Sequence, residues 1–257
     1  MGKIISIFNQ KGGVGKTTTN INLSAYVASM GKKVLIVDID PQGNSTSGLG
    51  IDKNKLENSI YDVIMGISPE EVIIDTPVEN LQIIPSSMEL AGAEIELTAK
   101  MNRENKLKEA LTMIKDRYDY IFIDCPPSLG LLTINALTAS NSVIIPIQCE
   151  FYALEGVEQL MNTVQLVRKN LNKNLEIQGV VMSMFDGRTN LSIEVVEEVK
   201  KHFRGKVYTS IIPRNVRLAE APSYGLPIML YDKSCRGAEA YMELAEEFLE
   251  NDNGGDE

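Results

Sequence analysis

Several things are scarce in this chain. Histidine occurs once in 257 residues, at His202. One imidazole leaves no freedom to assemble a Ser–His–Asp or Cys–His relay, and His202 is read as structural or surface. Cysteine occurs three times, as Cys125, Cys149 and Cys235, never with C-x-x-C spacing. That argues against a structural metal or an iron–sulfur cluster held within one chain. An odd count without a secretion signal fits a reducing cytoplasm. No apolar run approaches the length that spans a bilayer, and the first residues carry no signal-peptide core. Linkers, internal repeats and low-complexity segments are absent. Basic residues are outnumbered, 25 Lys and Arg against 35 Asp and Glu, for a formal net charge of −10. That is a poor endowment for binding nucleic acid, whose phosphates are held largely by Lys and Arg. Met1-Gly2-Lys3-Ile4-Ile5-Ser6 fits the loose myristoylation pattern. An apolar run already begins at Ile4, so Gly2 is read as the residue before a buried strand.

What is present is ordinary globular material, 44% hydrophobic and 23% charged, enough for a sizeable core. Short apolar runs alternate with helical patterns. Strands are expected at Ile4–Phe8, Val34–Val37, Leu81–Pro85, Tyr120–Ile123, Val143–Ile147, Ile177–Met182 and Val207–Ile212. Helices are expected at Thr17–Met30, Glu104–Arg117, Leu154–Leu171, Leu191–Phe203 and Ala238–Leu249. Near-continuous apolar strands imply a sheet covered on both faces, and the alternation implies parallel βαβ units. The expected fold is a doubly wound α/β domain, a mostly parallel sheet with helices on both faces. One domain is expected over residues 1–250, followed by a frayed acidic tail at 251–257. The Gly-, Asn- and Ser-rich stretch Pro41–Ser59 reads as a long functional loop.

The strongest motif is Lys11-Gly12-Gly13-Val14-Gly15-Lys16-Thr17-Thr18, placed between the first strand and the first helix, the context a P-loop requires. Its glycines let backbone N–H groups converge on phosphate oxygens, and the helix N-terminus adds partial positive charge. Lys16 is expected to reach the β- and γ-phosphates, Thr17 to ligate Mg²⁺ and Thr18 to contact the α-phosphate. The pattern departs from G-x-x-x-x-G-K-[ST] by carrying Gln10 in place of the first glycine and an added lysine, Lys11.

Two further motifs end strands. In Val37-Asp38-Ile39-Asp40-Pro41-Gln42-Gly43 the two carboxylates stand two residues apart, so their side chains can point the same way. Ligands of open α/β sheets sit beyond the strand C-termini, where such carboxylates can hold a metal-bound or attacking water. In Tyr120-Ile121-Phe122-Ile123-Asp124 an apolar strand ends in an acid, the Walker B pattern, and Asp124 is expected to reach Mg²⁺ through water.

Together these motifs, with V-D-I-D-P-Q-G-N and I-D-C-P-P-S-L-G, resemble the deviant Walker A ATPases of the ParA/MinD group. Ala91–Leu97, Leu132–Leu137 and Ile212–Pro222 point to its chromosome-partition branch, and the resemblance runs from Lys3 to Leu249. It implies two subunits sandwiching two ATP molecules with Mg²⁺. Lys11 would reach the partner's phosphates, and Gly12 would lie at the subunit contact. Asp40 would position the attacking water, and Asp38 would support the Lys11 and Mg²⁺ region. Pro213 and Asn215 would meet adenine through backbone groups. Catalysis is thus assigned to Lys11, Lys16 and Asp40, and metal binding to Thr17, Asp38 and Asp124.

Membership of that group leaves the purpose open. A MinD-like ATPase working on membrane is the alternative. Glu239 to Glu257 holds eight acids and no Lys or Arg, a charge that anionic lipid repels. A small-molecule ligase on the same scaffold lacks a separate substrate-binding constellation. DNA fits a local excess of charge. Arg168 to Arg217 contains ten basic and five acidic residues, +5 against −15 for the remainder. Lys200, Lys201 and Arg204 gather at the end of one helix there, where a solvated face is an equal reading. The resemblance favours Arg188 and Arg217 as contacts to double-stranded DNA, independent of base sequence. It also implies an ATP-dependent homodimer, a ParB-type centromere-binding partner that stimulates hydrolysis, no membrane binding, and a cytoplasmic, nucleoid-associated location.

Overall fold

The computed structural model describes residues 2–150 and 153–253. Its strands are β1 (Lys3–Ile7), β2 (Val34–Asp38), β3 (Ile74–Asp75), β4 (Leu81–Ile84), β5 (Tyr120–Asp124), β6 (Ser142–Gln148) and β7 (Glu176–Ser183). They form one seven-stranded sheet in the order β3-β4-β2-β5-β1-β6-β7. Only the two-residue edge strand β3 runs antiparallel. Helices α1 (Lys16–Ser29), α2 (Asn44–Gly48), α3 (Ile60–Met65), α4 (Leu90–Thr98), α5 (Lys106–Ile114) and α6 (Leu131–Ala139) are followed by α7 (Ala153–Asn170), α8 (Asn190–His202), α9 (Val216–Glu220), α10 (Ile228–Tyr231) and α11 (Arg236–Asn253).

Strand β2 shows why the doubly wound fold forms. Val34, Leu35, Ile36 and Val37 are all fully buried, so this strand needs cover on both faces and its β-branched residues suit the pleat. Leu35 and Val37 join Ile121, Ile123, Val143 and Ile145 in a core closed by α3 to α8. Val34 and Ile36 join Phe122 and Ile144 in a second core, closed by α1 through Leu23 and Val27 and by α11 through Tyr241, Leu244 and Phe248. Gly2 has a steric reason: a Cβ there would stand 2.1 Å from the Lys115 carbonyl oxygen.

Four expectations are corrected. Val207–Ile212 forms no strand; it runs beside β7 with a bridge at Val180 and Val207, and its Tyr208 and Ile212 N–H groups donate to the Val180 and Met182 carbonyls at 3.0 and 2.8 Å. Between those points the Glu247 carboxylate interrupts the pairing, accepting from the Thr209 and Ser210 N–H groups at 2.7 and 2.9 Å. Residues 41–59 are not one loop, because α2 and a 3-10 turn at Lys53–Lys55 interrupt them. The Glu104–Arg117 helix is split, with 3-10 turns on either side of α5. The expected fraying after residue 250 starts too early. α11 continues to Asn253, and Asp252 is bonded to Lys3 and, at 2.9 Å, to the Tyr120 hydroxyl. Residues 254–257, and Met1 of the acylation pattern, lie outside the described residues.

The order β2-β5-β1 sets the site. It makes neighbours of the strands that carry Asp38, Asp124 and the Gly-rich turn, with Asp38 opposite Asp124 in the register and Asp124 opposite Ile7.

Candidate functional site

The turn after β1 is shaped by its glycines. Gly13 and Gly15 adopt φ of +74° and +87°, the left-handed region that costs other residues most. Gly15 occupies the N-cap of α1 without a side-chain cap, so the first N–H groups of a long helix stay open toward the turn. The Ser183 hydroxyl, at the end of β7, donates to the Val14 carbonyl at 2.8 Å and pins the turn to the sheet. Lys16 is buried, and its ammonium donates to the Lys11 carbonyl at 3.1 Å. Burial holds its pKa below the usual lysine range, partly offset by Asp124, Cys125 and Asp40. The Lys11 ammonium lies 3.6 Å from Glu150 of the same chain, and Glu150 also meets Arg214 at 3.7 Å.

The carboxylates differ in what they are free to do. Asp38 is fully buried, and one of its oxygens accepts from both the Thr46 N–H and hydroxyl at 2.8 Å. Its other oxygen accepts a longer bond from the Asp40 N–H at 3.3 Å. Asp124 is also fully buried. One oxygen accepts from the Ser45 hydroxyl at 2.8 Å, and the other has no hydrogen-bond partner. An unpaired buried oxygen of this kind is expensive. Burial raises both carboxyls above the usual range, and for Asp124 the neighbouring Asp38 charge raises it further. The Ser45 and Thr17 hydroxyls oppose that rise. Asp40 is buried and accepts from the Gln42 N–H at 2.9 Å.

An orphaned carboxylate oxygen beside a P-loop hydroxyl is a good fit to a hard divalent cation. Among the described residues no group of three or more His, Cys, Asp or Glu could hold a metal alone. That suits Mg²⁺, which keeps waters and takes phosphate oxygens. Of the three expected metal residues, Asp124 has the free oxygen, while Asp38 is committed to organising α2.

Of the helices the sequence reading missed, α2 bears most directly on the site. It delivers Ser45 to Asp124 and Thr46 to Asp38, and Asn20 on α1 steadies Ser45 at 3.1 Å. Ser86, after β4, donates its hydroxyl to the Asp40 carbonyl at 2.7 Å. The hydroxyl run Ser45-Thr46-Ser47 after Gly43 was the available signal.

Pro213 and Asn215 reach the same end of the sheet. With Gly15, Thr18, Met184 and Tyr241 they line a mainly apolar cavity of about 350 Å³, room for a purine base. The Asn215 side-chain oxygen caps α9, accepting from the Arg217 N–H at 2.7 Å. Cys125 and Cys149 are buried thiols pushed up to about 12 by burial, which makes them inert.

The basic residues sit elsewhere, and most of them are paired. The Arg188 guanidinium donates two hydrogen bonds to the Asp186 carboxylate, at 2.8 and 2.6 Å. Arg217 meets Glu220 at 2.9 Å and Asp232 at 3.4 Å. Lys200 and Lys201 pair with Glu197 and Glu198 one turn back, while Arg204 is exposed and forms no ion pair among the described residues. Arg188 shares a cavity of about 540 Å³ with Arg214 and Arg236. Arg236 was invisible to a charge count that stopped at residue 217.

Among the described residues no helix is long and apolar enough to cross a membrane. A family model described as an AAA domain matches residues 2–177. The sporulation initiation inhibitor protein Soj of Bacillus subtilis is 63% identical over 252 residues, 98% of this chain and 100% of its own. The chromosome partitioning protein ParA of Myxococcus xanthus is 51% identical over 98% of this chain and 89% of its own. The structure of a cobyrinic acid a,c-diamide synthase from Mycobacterium smegmatis, with bound ADP and magnesium, superposes with a TM-score of 0.87 at 37% identity. That match covers 99% of this chain and 97% of the other.

Proposed function

The chain belongs to the Soj/ParA family of chromosome-partitioning ATPases, and on that premise we propose that it is a nucleotide-switched DNA tether which hydrolyses ATP to release its grip. The observation that carries the ATPase half is the unpartnered Asp124 oxygen, buried beside Thr17 at the mouth of the P-loop.

The open N–H groups of the turn and of α1 bind the phosphates, and Lys16 neutralises them. Thr17 and Asp124 would hold Mg²⁺, Asp124 through water, and a cation there would supply positive charge against the phosphates. Asp40, fixed by the Gln42 N–H and by Ser86 on its own carbonyl, orients the attacking water. Nothing in phosphoryl transfer requires a covalent enzyme intermediate, so positioning and charge suffice. The Pro213–Asn215 cavity takes the base.

Two chains then close face to face over two nucleotides. Lys11 exchanges Glu150 for the partner's phosphates. Gly12 is compatible with this reading, because a Cβ there would meet nothing within 4 Å of its own chain, which leaves room for a neighbour. Pairing two weak basic surfaces raises avidity without any new contact, so the ATP dimer holds DNA and the monomer lets go. Arg188 and Arg217 supply phosphate contacts, and Lys200, Lys201 and Arg204 add positive charge at the C-terminal end of α8. A ParB-type protein stimulates turnover, and the chain works in the cytoplasm on the nucleoid. Identity of 63% to Soj against 37% to the diamide synthase favours partition over small-molecule ligation.

Co-sedimentation with DNA in ATP, ADP and no nucleotide tests the switch. Binding in ATP alone is expected, lost on Arg188→Ala with Arg217→Ala. Equal binding in all three states would sink it.

A further inference from the structure

The N-terminal ends of the strands, away from the phosphate turn, form the floor of a second cleft, of about 880 Å³. That is ample for a small ligand. β1 and β5 are five residues long, so roughly 16 Å of sheet separates this cleft from the P-loop.

Six cationic residues line it, Lys3, Lys32, Lys33, Lys108, Lys115 and Arg117, against the three acids Asp116, Asp119 and Asp252. The whole chain has the opposite balance, with a net charge of −10. Two of the cations are committed, Lys3 to Asp252 and Arg117 to Glu70 at 2.9 Å. Lys32, Lys33, Lys108 and Lys115 form no ion pair among the described residues. Two of the acids are engaged with other groups. Asp252 also accepts from the Tyr120 hydroxyl, and one Asp119 oxygen accepts from the Lys33 backbone N–H at 2.7 Å.

Helix α5 shows that these lysines do more than complement helix ends. Lys108, Thr112 and, just past the helix, Lys115 follow at i, i+4 and i+7, the spacing of one face, and all three border the cleft. A cation at the C-terminal end, as at Lys115, suits the helix dipole. Lys108 lies in the first turn, where the dipole disfavours it. Unpaired like charges on one concave surface repel each other, whereas a surface serving solubility alone intersperses both signs.

The uncharged lining is polar as well. The Asn141 side-chain oxygen accepts from the Ile4 N–H at 2.8 Å, which leaves its amide N–H groups as donors. Thr138, also on the border of the cleft, is buried with an unpartnered hydroxyl, a costly state unless another group supplies the bond. The aromatic rings are unavailable. Tyr118 and Tyr120 are buried, and their hydroxyls donate to Gln82 and Asp252. A nucleobase thus finds no stacking platform, and recognition falls on negative charge. Four free ammonium groups, two before β2 and two along α5, suit several linked phosphates better than one.

We propose that this cleft binds a condensed phosphate chain, free or as part of a nucleotide, at the same time as the P-loop holds its own nucleotide.

Calorimetric titration of tripolyphosphate into the chain saturated with ADP and Mg²⁺ tests it, the heat of tripolyphosphate in the same buffer being subtracted. Saturable binding is expected. Lys108→Ala with Lys115→Ala should weaken it at least about ten-fold. Lys169→Ala with Lys206→Ala removes the same charge from exposed lysines elsewhere and should leave it intact. A fluorescent ADP analogue should bind all variants alike, which shows that each is folded, and should stay bound as tripolyphosphate is added. GTP titrated in the same way separates the sources. Affinity equal to that of tripolyphosphate assigns recognition to the phosphate chain alone. Tighter binding that the Lys108 and Lys115 pair also loses assigns it to a nucleotide. No heat beyond the buffer, undiminished binding by that double variant, or release of the ADP analogue in step with tripolyphosphate overturns the site. Loss of duplex DNA binding by the double variant, with no tripolyphosphate heat in the parent, gives the cleft to nucleic acid and overturns it too.

Discussion

Asp38 and Asp124 stand fully buried at neighbouring strand ends, whereas Arg188, Lys201 and Arg217 are exposed and each holds an acid of its own chain. In the buried pair, charge is suppressed, since desolvation raises both carboxyls until a cation arrives to favour ionisation. On the surface, charge is retained and shielded, and Asp186 is held down at about 2 by Arg188. One region is built to await a ligand of opposite charge; the other must give up an internal partner to take one. Burial makes single groups decisive in the first. Solvent screening makes them incremental in the second.

Substitutions should separate the two regions by the size of their effect. Asp40→Ala is expected to lower ATP turnover by about 10²- to 10⁴-fold, the usual worth of a positioned acid–base group, while ATP dimers still form in sedimentation. Normal turnover by that variant would remove Asp40 from the mechanism. Lys16→Ala should weaken ATP about a hundred-fold, in line with roughly 2–5 kcal/mol for losing one partner of a buried charge pair; calorimetric titration measures it.

Asp124→Asn addresses the buried charge itself. A carboxyl whose folded pKa lies above its unfolded value binds more protons when folded, so stability falls as pH rises from the unfolded value toward the folded one. The variant should therefore melt higher than the parent at pH 8 without Mg²⁺ or nucleotide, by roughly 2–4 °C for about 1 kcal/mol, with a smaller gain at pH 5. An equal gain at both values would show that Asp124 carries no buried charge.

Surface changes should be smaller and of opposite sign to each other. Arg188→Ala should reduce the slope of DNA affinity against salt by roughly one unit. Asp186→Ala releases that guanidinium and should tighten DNA binding at low salt. If both weaken binding alike, Asp186 serves to orient Arg188, and the comparison becomes one of geometry.

The phosphate turn was legible because its chemistry is local: Lys11 to Thr18 are consecutive, and left-handed glycines at Gly13 and Gly15 serve the turn itself. Helix α8 and the long C-terminal helix α11 were legible from periodicity. α2 was not, since Asn-Ser-Thr-Ser-Gly has no apolar period and low helix propensity; the Asp38 and Asp124 carboxylates hold it from outside. The Val207–Ile212 run looked like a strand because it is apolar, but its pairing with β7 breaks at Thr209 and Ser210, whose N–H groups turn to Glu247, far along the chain.

The sequence by itself determined which residues meet phosphate, which strands are buried on both faces and where along the chain positive charge is concentrated, because each rests on neighbours within a few residues. Only the tertiary structure decided that Asp124 keeps a free oxygen while Asp38 does not, that Glu150 holds Lys11, that Arg236 joins Arg188, and that Lys32, Lys33, Lys108 and Lys115 share one cleft. Those outcomes depend on strand order and on hydrogen bonds between groups tens to hundreds of residues apart, and no local pattern of side chains encodes them.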